Sequence, residues 1–429
     1  MAKQKKKKNW IKFRHRVVRK VLCFLLTPYF RVIYKLKVRK FKEEGKRQYF
    51  VMMNHQTPLD QFFVMKSFKQ LTYCIASEDL FSNGWKSNFL RWMVAPIPIK
   101  KQTVDARSVL TCLRVAKEGA TVVLAPEGNR TYSGKTEYMK PSVVGLARVL
   151  KLPVALYRIE GGYSTQPRWA NNVRKGKMTA GVSRVIEPEE YANYTDEEFF
   201  EVIKQGLYVD DNHAEIPFKC KRQAEYLERA LYWCPYCNLS RFESAKDKVK
   251  CLSCGREVRY LPTQELEGVG FELPFHFFGD WYEKQSEFMK QLDVTLLTQE
   301  PMWTERARMS EVVLYKNKKL ICPSAELRLF GNRMEISCEG QDGKNTKDTK
   351  ETKGAKDTKD TKDTKEWTFS FDEITACSVL GRNKLNVYHG GKVYQFKGDK
   401  RFNGLKFVHT YYRYQNLKKG EENEQFLGL

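Results

Sequence analysis

Residues 49–60 read YFVMMNHQTPLD, an apolar run followed by a polar turn. The run YFVMM predicts a buried strand. Thr57 is a natural N-cap, Pro58 a natural first helical residue and Asp60 a capping-box carboxylate, so we expect a helix to begin at Thr57. His55 then lies on the preceding turn, where the carboxylate of Asp60 can reach its imidazole. Such a pair suits a general base, although on this motif alone an ordinary turn histidine beside a capping aspartate is the better interpretation.

A second polar loop follows the apolar run of residues 121–125, in the sequence TVVLAPEGNRT. Arg130 lies in this loop, where the planar guanidinium of an arginine can bind a phosphate through two hydrogen bonds. Upstream, the run APIPIKK ends in Lys100 and Lys101, which are further candidates for phosphate contacts. A structural ion pair between Glu127 and Arg130 is the alternative interpretation.

Short β-branched runs alternate with helical patterns throughout residues 49–209. The predicted strands are YFVMM, LTYCIA, TVVLA and LPVALYRI, and the predicted helices cover residues 106–118 and 142–150. Alternation of this kind indicates βαβ units in an α/β sandwich. We therefore expect an α/β domain over residues 49–215.

Four of the eleven cysteines form two CxxC pairs, in the sequences WCPYC and CLSCG. Cys234, Cys237, Cys251 and Cys254 can place four thiolates around one structural Zn²⁺, with 13 residues between the pairs. Redox or incidental CxxC pairs are the alternative. We expect a zinc ribbon over residues 225–262, followed by a connecting segment, 263–298. The other seven cysteines are interpreted as small core or surface residues, which indicates a reducing compartment.

The positive charge of the 429-residue chain is concentrated at its N-terminus. The net charge is +25, and residues 1–50 contain 18 basic and 2 acidic side chains. Apolar residues between 17 and 26 are flanked by these cations, which predicts over residues 1–48 a basic amphipathic segment that lies on an anionic phospholipid membrane. The apolar run is too short to span a bilayer. We expect peripheral attachment at the cytoplasmic face and no nucleic-acid partner, a basic arm for RNA being the alternative.

The last part of the chain, residues 299–420, changes to short strands closed by a helical stretch over residues 402–417. This pattern predicts a small β-rich module, and it weakly resembles a pleckstrin-homology (PH) or GRAM-type domain. A Lys-Asp-Thr repeat interrupts it. With almost no apolar side chain to bury, this insert, residues 343–366, is expected to be disordered.

The motifs of the α/β domain together resemble those of the glycerolipid acyltransferase family, which includes the 1-acyl-sn-glycerol-3-phosphate (lysophosphatidic acid) acyltransferases. The order NHxxxxD, with His55 and Asp60, is followed about 70 residues later by PEGNRT. IPIKK resembles the second block of the family, where an arginine is usual and Lys101 stands here, and LPVALYRI resembles the last block. The resemblance covers about residues 50–162.

This resemblance implies a mechanism and a set of site residues. His55 would take the proton from the free hydroxyl of 1-acyl-glycerol-3-phosphate as that oxygen attacks an acyl thioester, acyl-CoA or acyl carrier protein, and Asp60 would hold the imidazole. The product would be phosphatidic acid. The residues implied to line the acceptor's glycerol phosphate are Glu127, Gly128, Asn129, Arg130, Thr131 and Lys101.

Two other functions stay open at this point. An acyltransferase of the same fold could act on glycerol 3-phosphate or on another lysolipid. A non-catalytic lipid-binding protein could instead use the zinc ribbon and the β-rich module as its working parts.

Overall fold

We describe a computed structural model of the chain over residues 9–99, 106–339 and 364–420. Their contacts divide them into two compact units. The first unit comprises residues 9–99, 106–288 and 313–317, and the second comprises residues 289–312, 318–339 and 364–420. Lys100, Lys101 and residues 343–363 of the predicted insert lie outside the described residues.

The described residues form ten α-helices and twenty strands. The helices are α1 (Phe13–Val32), α2 (Asp60–Ser67), α3 (Trp85–Val94), α4 (Ala106–Lys117), α5 (Ser142–Leu150), α6 (Gly162–Thr165), α7 (Pro188–Tyr191), α8 (Asp196–Leu207), α9 (Phe278–Gln291) and α10 (Leu405–Lys419). The strands of the first unit are β1 (Leu36–Val38), β2 (Phe50–Met53), β3 (Thr72–Ser77), β4 (Ile97–Ile99), β5 (Thr121–Leu124), β6 (Val154–Glu160), β7 (Met178–Ile186), β8 (Trp233–Cys234), β9 (Asn238–Leu239), β10 (Phe242–Ala245), β11 (Lys248–Cys251), β12 (Glu257–Tyr260) and β13 (Leu266–Gly268). Those of the second unit are β14 (Trp303–Glu311), β15 (Lys319–Leu329), β16 (Arg333–Cys338), β17 (Lys365–Ser370), β18 (Ile374–Leu380), β19 (Lys384–His389) and β20 (Lys392–Gly398).

The first unit is built on a mixed sheet in the order β1-β7-β6-β2-β5-β3-β4. Strands β2 to β6 run parallel to their neighbours within this group, and β7 is antiparallel to β6. All four residues of β2 are buried, as expected for a central strand covered on both faces. The α/β class predicted from the alternating pattern is confirmed.

Alternate residues of β2 enter two separate cores. Phe50 and Met52 belong to a core that also contains residues of α4, α5 and α8. Val51 and Met53 belong to a second core that contains residues of α1 and α2. Since successive side chains of a strand point to opposite faces of the sheet, helices cover both faces and the polar turn after β2 is left at the sheet's carboxyl edge.

The helix after β2 begins later than predicted. Residues 57–59 form a turn, and α2 begins at Asp60 and not at Thr57. The hydroxyl of Thr57 donates to Asp60 Oδ1 and accepts from the backbone N–H of Leu59. These side-chain hydrogen bonds hold a turn in place of the first helical turn that Pro58 suggested. The capping contact itself is present, because the backbone N–H of Thr57 donates to the Asp60 carboxylate.

The N-terminal apolar segment forms a single helix, α1, which includes Pro28. Among the described residues, we find no helix with both the length and the apolar character needed to cross a bilayer.

The second unit is a sheet in the order β17-β16-β15-β14-β20-β19-β18, followed by α10. Every pairing in it is antiparallel. A β-rich module closed by a helix was predicted, and this class is confirmed. Lys365 and Glu366 form the first residues of β17, so the prediction that disorder extends to residue 366 was wrong at its end.

Two cysteines interpreted as unpaired form a disulfide, Cys322–Cys338. They lie on the neighbouring antiparallel strands β15 and β16, with their Cα atoms 6.1 Å apart, which is within the range that a disulfide spans. Sequence spacing alone cannot identify such a pair, because the pairing follows from strand register. Because the chain contains a disulfide, its cysteines do not by themselves support the predicted reducing compartment.

Asn54 connects the end of β2 to the neighbouring strand β6. Its Nδ2 donates to the carbonyl oxygen of Ile159 and its Oδ1 accepts from the Ile159 N–H, at 2.8 and 2.7 Å. Asn54 is fully buried. The side chain thus continues the sheet's hydrogen bonding where the backbone of β2 turns away, and it fixes the start of the turn that carries His55.

We predict that Asn54→Ala lowers the free energy of unfolding by about 2–4 kcal/mol, because two buried backbone groups of Ile159 lose their partners. Urea denaturation measures the change. Asn193→Ala, at an exposed asparagine that donates to the carbonyl oxygen of Glu189, is the control and should cost less than about 0.5 kcal/mol. Equal losses for the two variants would contradict this role of Asn54.

Candidate active site and metal site

The imidazole of His55 lies against the carboxylate of Asp60 at the carboxyl end of β2. The distance from His55 Nδ1 to Asp60 Oδ2 is 2.8 Å. The Asp60 side chain is fully buried, whereas that of His55 is 25% exposed. With Nδ1–H donating to the carboxylate, the lone pair of Nε2 is available to accept a proton. A buried acid thus orients a partly accessible base.

Asp60 is held by the same turn that carries His55. Its Oδ2 accepts from the backbone N–H of Gln56 at 2.7 Å, and its Oδ1 accepts from the Thr57 hydroxyl at 2.6 Å. These donors satisfy the buried carboxylate and fix its direction.

Glu127 joins the His55 turn to the loop after β5. Its Oε1 accepts from the backbone N–H of His55 at 2.7 Å, and its Oε2 accepts from that of Glu137 at 2.8 Å. Burial raises the pKa of Glu127 well above its ordinary value, although these two backbone hydrogen bonds act in the opposite direction. The side chain is 6% exposed, so both of its oxygens serve to connect backbone segments.

We call residues 127–134, most of which the sequence predicted to line the acceptor's glycerol phosphate, the acceptor loop. Gly128 has φ +70°, in the left-handed region that favours glycine. The backbone N–H of Thr131 donates to the carbonyl oxygen of His55 at 3.3 Å, which is a second connection between the two motifs. Arg130 and Asn129 are each 8% exposed. The loop therefore brings a nearly buried guanidinium to the edge of the sheet where His55 lies.

Sequence reasoning missed Glu137, which organises the acceptor loop from inside. Its Oε1 accepts from the hydroxyl of Thr131 and from the backbone N–H of Tyr132, both at 3.0 Å. Burial raises its pKa, and the charge of Arg168 acts in the opposite direction. Nothing in the local sequence TEYMKP distinguishes this glutamate from a surface residue.

Tyr34, just after α1, is a second residue that the sequence did not indicate. It is buried, and its hydroxyl donates to Gln166 Oε1 at 2.8 Å. Burial raises the pKa of this hydroxyl; the charge of Arg130 lowers it and that of Asp60 raises it. The Tyr34 hydroxyl is therefore close enough to both Arg130 and Asp60 to be affected by their charges.

The structure thus brings His55, Asp60, Glu127 and Thr131 together through direct contacts, with Gly128, Asn129 and Arg130 in the connecting loop. Lys101 lies outside the described residues.

The four predicted metal ligands also converge. The Sγ atoms of Cys234, Cys237, Cys251 and Cys254 all lie within 4.8 Å of one another. A tetrahedron with Zn–S bonds of about 2.3 Å has edges of about 3.8 Å, and two of the separations are 3.4 and 3.9 Å. This donor set fits a structural zinc ion.

Comparison with known proteins agrees with the motifs. Residues 32–157 match the model of the Acyltransferase family. Over 133 residues the chain is 25% identical to the 1-acyl-sn-glycerol-3-phosphate acyltransferase of Bacillus subtilis, an alignment that covers 31% of this chain and 63% of that protein. The chain thus spans less than two thirds of that relative's length. The crystal structure of the 1-acyl-sn-glycerophosphate (LPA) acyltransferase PlsC from Thermotoga maritima is similar with 19% identity and a TM-score of 0.39, over 45% of this chain and 78% of that one.

The α/β domain with its His55–Asp60 motif is therefore of the acyltransferase class. Residues 32–157 thus carry an Acyltransferase-family domain, similar in sequence to part of a glycerolipid acyltransferase.

We predict that the purified chain contains about one zinc ion and that Cys251→Ser loses it, because a hydroxyl does not replace a thiolate ligand. Atomic emission spectrometry gives the zinc content, and thermal unfolding should shift down by several degrees. Cys220→Ser is the matched control, since Cys220 is half-buried outside the cluster, and it should retain the metal. Zinc retained by Cys251→Ser would contradict the assignment.

Proposed function

We propose that the chain transfers an acyl group from an acyl thioester to the free hydroxyl of 1-acyl-glycerol-3-phosphate and so forms phosphatidic acid. The observation that carries this proposal is the 2.8 Å contact between His55 Nδ1 and Asp60 Oδ2 beside a loop that presents Arg130. The relative from Bacillus subtilis, named for this activity, supports the choice of acceptor.

His55 acts as the general base in this proposal. Its Nε2 takes the proton of the acceptor hydroxyl while the oxygen attacks the thioester carbonyl carbon. The carbon–sulfur bond then breaks, and the leaving thiolate takes the proton from the imidazolium. The acyl group passes directly to the alcohol, so the reaction needs no covalent enzyme nucleophile. Asp60 stabilises the imidazolium and keeps Nε2 directed at the acceptor.

Arg130 is proposed to bind the acceptor's phosphate, because a guanidinium can pair with two phosphate oxygens. Asn129, Thr131 and the backbone at Gly128 would complete this acceptor site, with Lys101 as a further cation. The buried oxygens of Glu127 favour a positioning role within it. The donor is proposed to be acyl-CoA or acyl carrier protein.

We predict that His55→Ala lowers kcat for acyl transfer by at least about 1,000-fold, since it removes the base. Asp60→Asn, which favours the wrong tautomer, should lower it by about 100-fold or more. The assay uses labelled acyl-CoA with lysophosphatidate, glycerol 3-phosphate, and lysolipids without a terminal phosphate.

Far-UV circular dichroism and zinc content show whether each variant is folded. His213→Ala is the control, because His213 packs edge-to-face on Phe277 at 4.3 Å, away from Asp60. If glycerol 3-phosphate gave product and lysophosphatidate gave none, glycerol 3-phosphate would replace lysophosphatidate as the proposed acceptor. A folded His55→Ala protein with full activity would end the general-base assignment.

The proposed acceptor and product are lipids, and we propose that α1 and α3 attach the protein peripherally to an anionic membrane, at the cytoplasmic face where these donors occur. The two helices contact each other, and Arg14 Nε donates to the Trp92 carbonyl oxygen at 2.9 Å. Their most exposed apolar side chains are those of Phe13, Val17, Val21, Phe24, Leu25, Val32, Trp85, Phe89 and Trp92. Basic residues beside them fit the headgroup layer.

Helix α3 adds aromatic side chains to a surface that the sequence assigned to α1 alone. Val18, Leu22 and Leu26 of α1 are half-buried, whereas Phe24 is 79% exposed. One side of α1 thus packs on the protein, and the other remains available to lipid.

We predict that Phe24→Asn with Trp92→Gln weakens binding to vesicles of phosphatidylcholine and phosphatidylglycerol by at least about 10-fold, because each large apolar side chain contributes about 1.5–3 kcal/mol when buried. Vesicle co-sedimentation measures this. Leu296→Asn with Leu110→Asn removes exposed apolar side chains elsewhere and should leave binding unchanged. Equal binding by both double variants would contradict the proposed surface.

A further inference from the structure

The segment with the four cysteines packs on the loops at the carboxyl edge of the α/β sheet. We infer that this zinc ribbon, together with α9, holds the acceptor loop in position, and that Arg168 and Tyr282 are positioning residues for the acceptor's phosphate. The expected effect on acceptor binding rests on the proposed function. The expected effect on the structure of the acceptor loop does not.

Helix α9 is attached directly to the ribbon. The indole N–H of Trp281 donates to the carbonyl oxygen of Trp233, the residue before Cys234, at 3.0 Å. Gln285 Oε1 accepts from the backbone N–H of Tyr232 at 2.7 Å, and its Nε2 donates to the Ala230 carbonyl oxygen at 2.9 Å. Gln285 is fully buried. The direction of α9 therefore depends on the backbone that leads into the metal site.

A second set of contacts joins α9 to the acceptor loop. The ring of Tyr282 stacks on that of Tyr132, with centroids 6.3 Å apart and planes 13° from parallel. The guanidinium of Arg168 lies 4.3 Å from the centroid of the same Tyr132 ring. Arg168 NH1 also donates to the backbone carbonyl oxygen of Arg130 at 2.9 Å. A chain of direct contacts thus runs from Tyr282 to the backbone of Arg130.

A second route leads from the ribbon strands to Arg168. Arg174 NH1 donates to the hydroxyl of Tyr260, the last residue of β12, at 3.2 Å, and the Arg174 guanidinium lies 4.9 Å from the Trp169 ring centroid. Arg229 NH1 donates to the Trp169 carbonyl oxygen at 2.7 Å. Trp169 follows Arg168 in the chain and is fully buried. The backbone next to Arg168 is therefore held by residues of the ribbon and of the segments that flank it.

The carboxylate of Asp60, which orients the His55 imidazole, has donors of its own, although the backbone of His55 also contacts Glu127 and Thr131 of the acceptor loop. Those donors come from Gln56 and Thr57 in the same turn. Loss of the ribbon contacts should therefore displace Arg130 and leave the base oriented. This predicts a selective loss of acceptor affinity, because binding and proton transfer are positioned separately. Without metal, a segment as short as the ribbon cannot hold a core of its own.

The kinetic test compares Tyr282→Ala and Arg168→Gln with Tyr282→Phe, which retains the stacking ring. We expect KM for lysophosphatidate to rise at least about 10-fold in the first two variants, kcat to stay within about 3-fold, and Tyr282→Phe to remain near the parent. Lys284→Ala, an exposed position on α9, is the control. Zinc content and circular dichroism establish that each variant is folded. An unchanged KM in folded, zinc-loaded Tyr282→Ala would overturn the inference.

Hydrogen exchange supplies a readout that needs no activity. Zinc-depleted protein should exchange the backbone amides of residues 130–134 at least about 10-fold faster than zinc-loaded protein, while the amides of Gln56 and Thr57 keep their protection. Equal exchange at 130–134 in the two forms would refute the inference even if acyl transfer is observed. Faster exchange with no acyl transfer to any acceptor would support the role of the ribbon in holding the acceptor loop and would reject the proposed function.

Discussion

The candidate site depends on one buried carboxylate. The Asp60 side chain has no exposed surface. Burying a carboxylate without hydrogen-bond partners costs a large amount of free energy. Here the His55 imidazole, two backbone N–H groups and the Thr57 hydroxyl all donate to it. The same hydrogen bonds close the turn after β2 and set the start of α2. The contacts that hold this turn therefore also orient the His55 imidazole.

Buried carboxylates also organise the acceptor loop. Glu127 accepts from the backbone of His55, and Glu137 accepts from the backbone of Tyr132. Backbone N–H groups hold both side chains, and burial raises the pKa of each. Both carboxylates therefore fix the geometry of the backbone around the site. Arg130 lies in the same loop and is 8% exposed.

The sequence predicted what depends on local patterns. Helix α5 has the expected bounds because apolar periodicity and turn residues determine them. The convergence of four cysteines followed from spacing alone. Contacts that depend on strand register or long-range packing were missed, such as the Cys322–Cys338 disulfide and the role of Glu137. The late start of α2 shows a side-chain hydrogen bond overriding a positional preference.

Two buried arginines contact the ribbon or the acceptor loop. Arg174 is fully buried, and its NH1 and NH2 donate to the Tyr260 hydroxyl and the Gln223 carbonyl oxygen. Neutral acceptors and aromatic rings stabilise a guanidinium without neutralising its charge. Arg168 likewise donates to a carbonyl oxygen and lies over a ring. The charge of Arg168, whose NH1 contacts the backbone of Arg130, would favour the proposed phosphate-bearing acceptor.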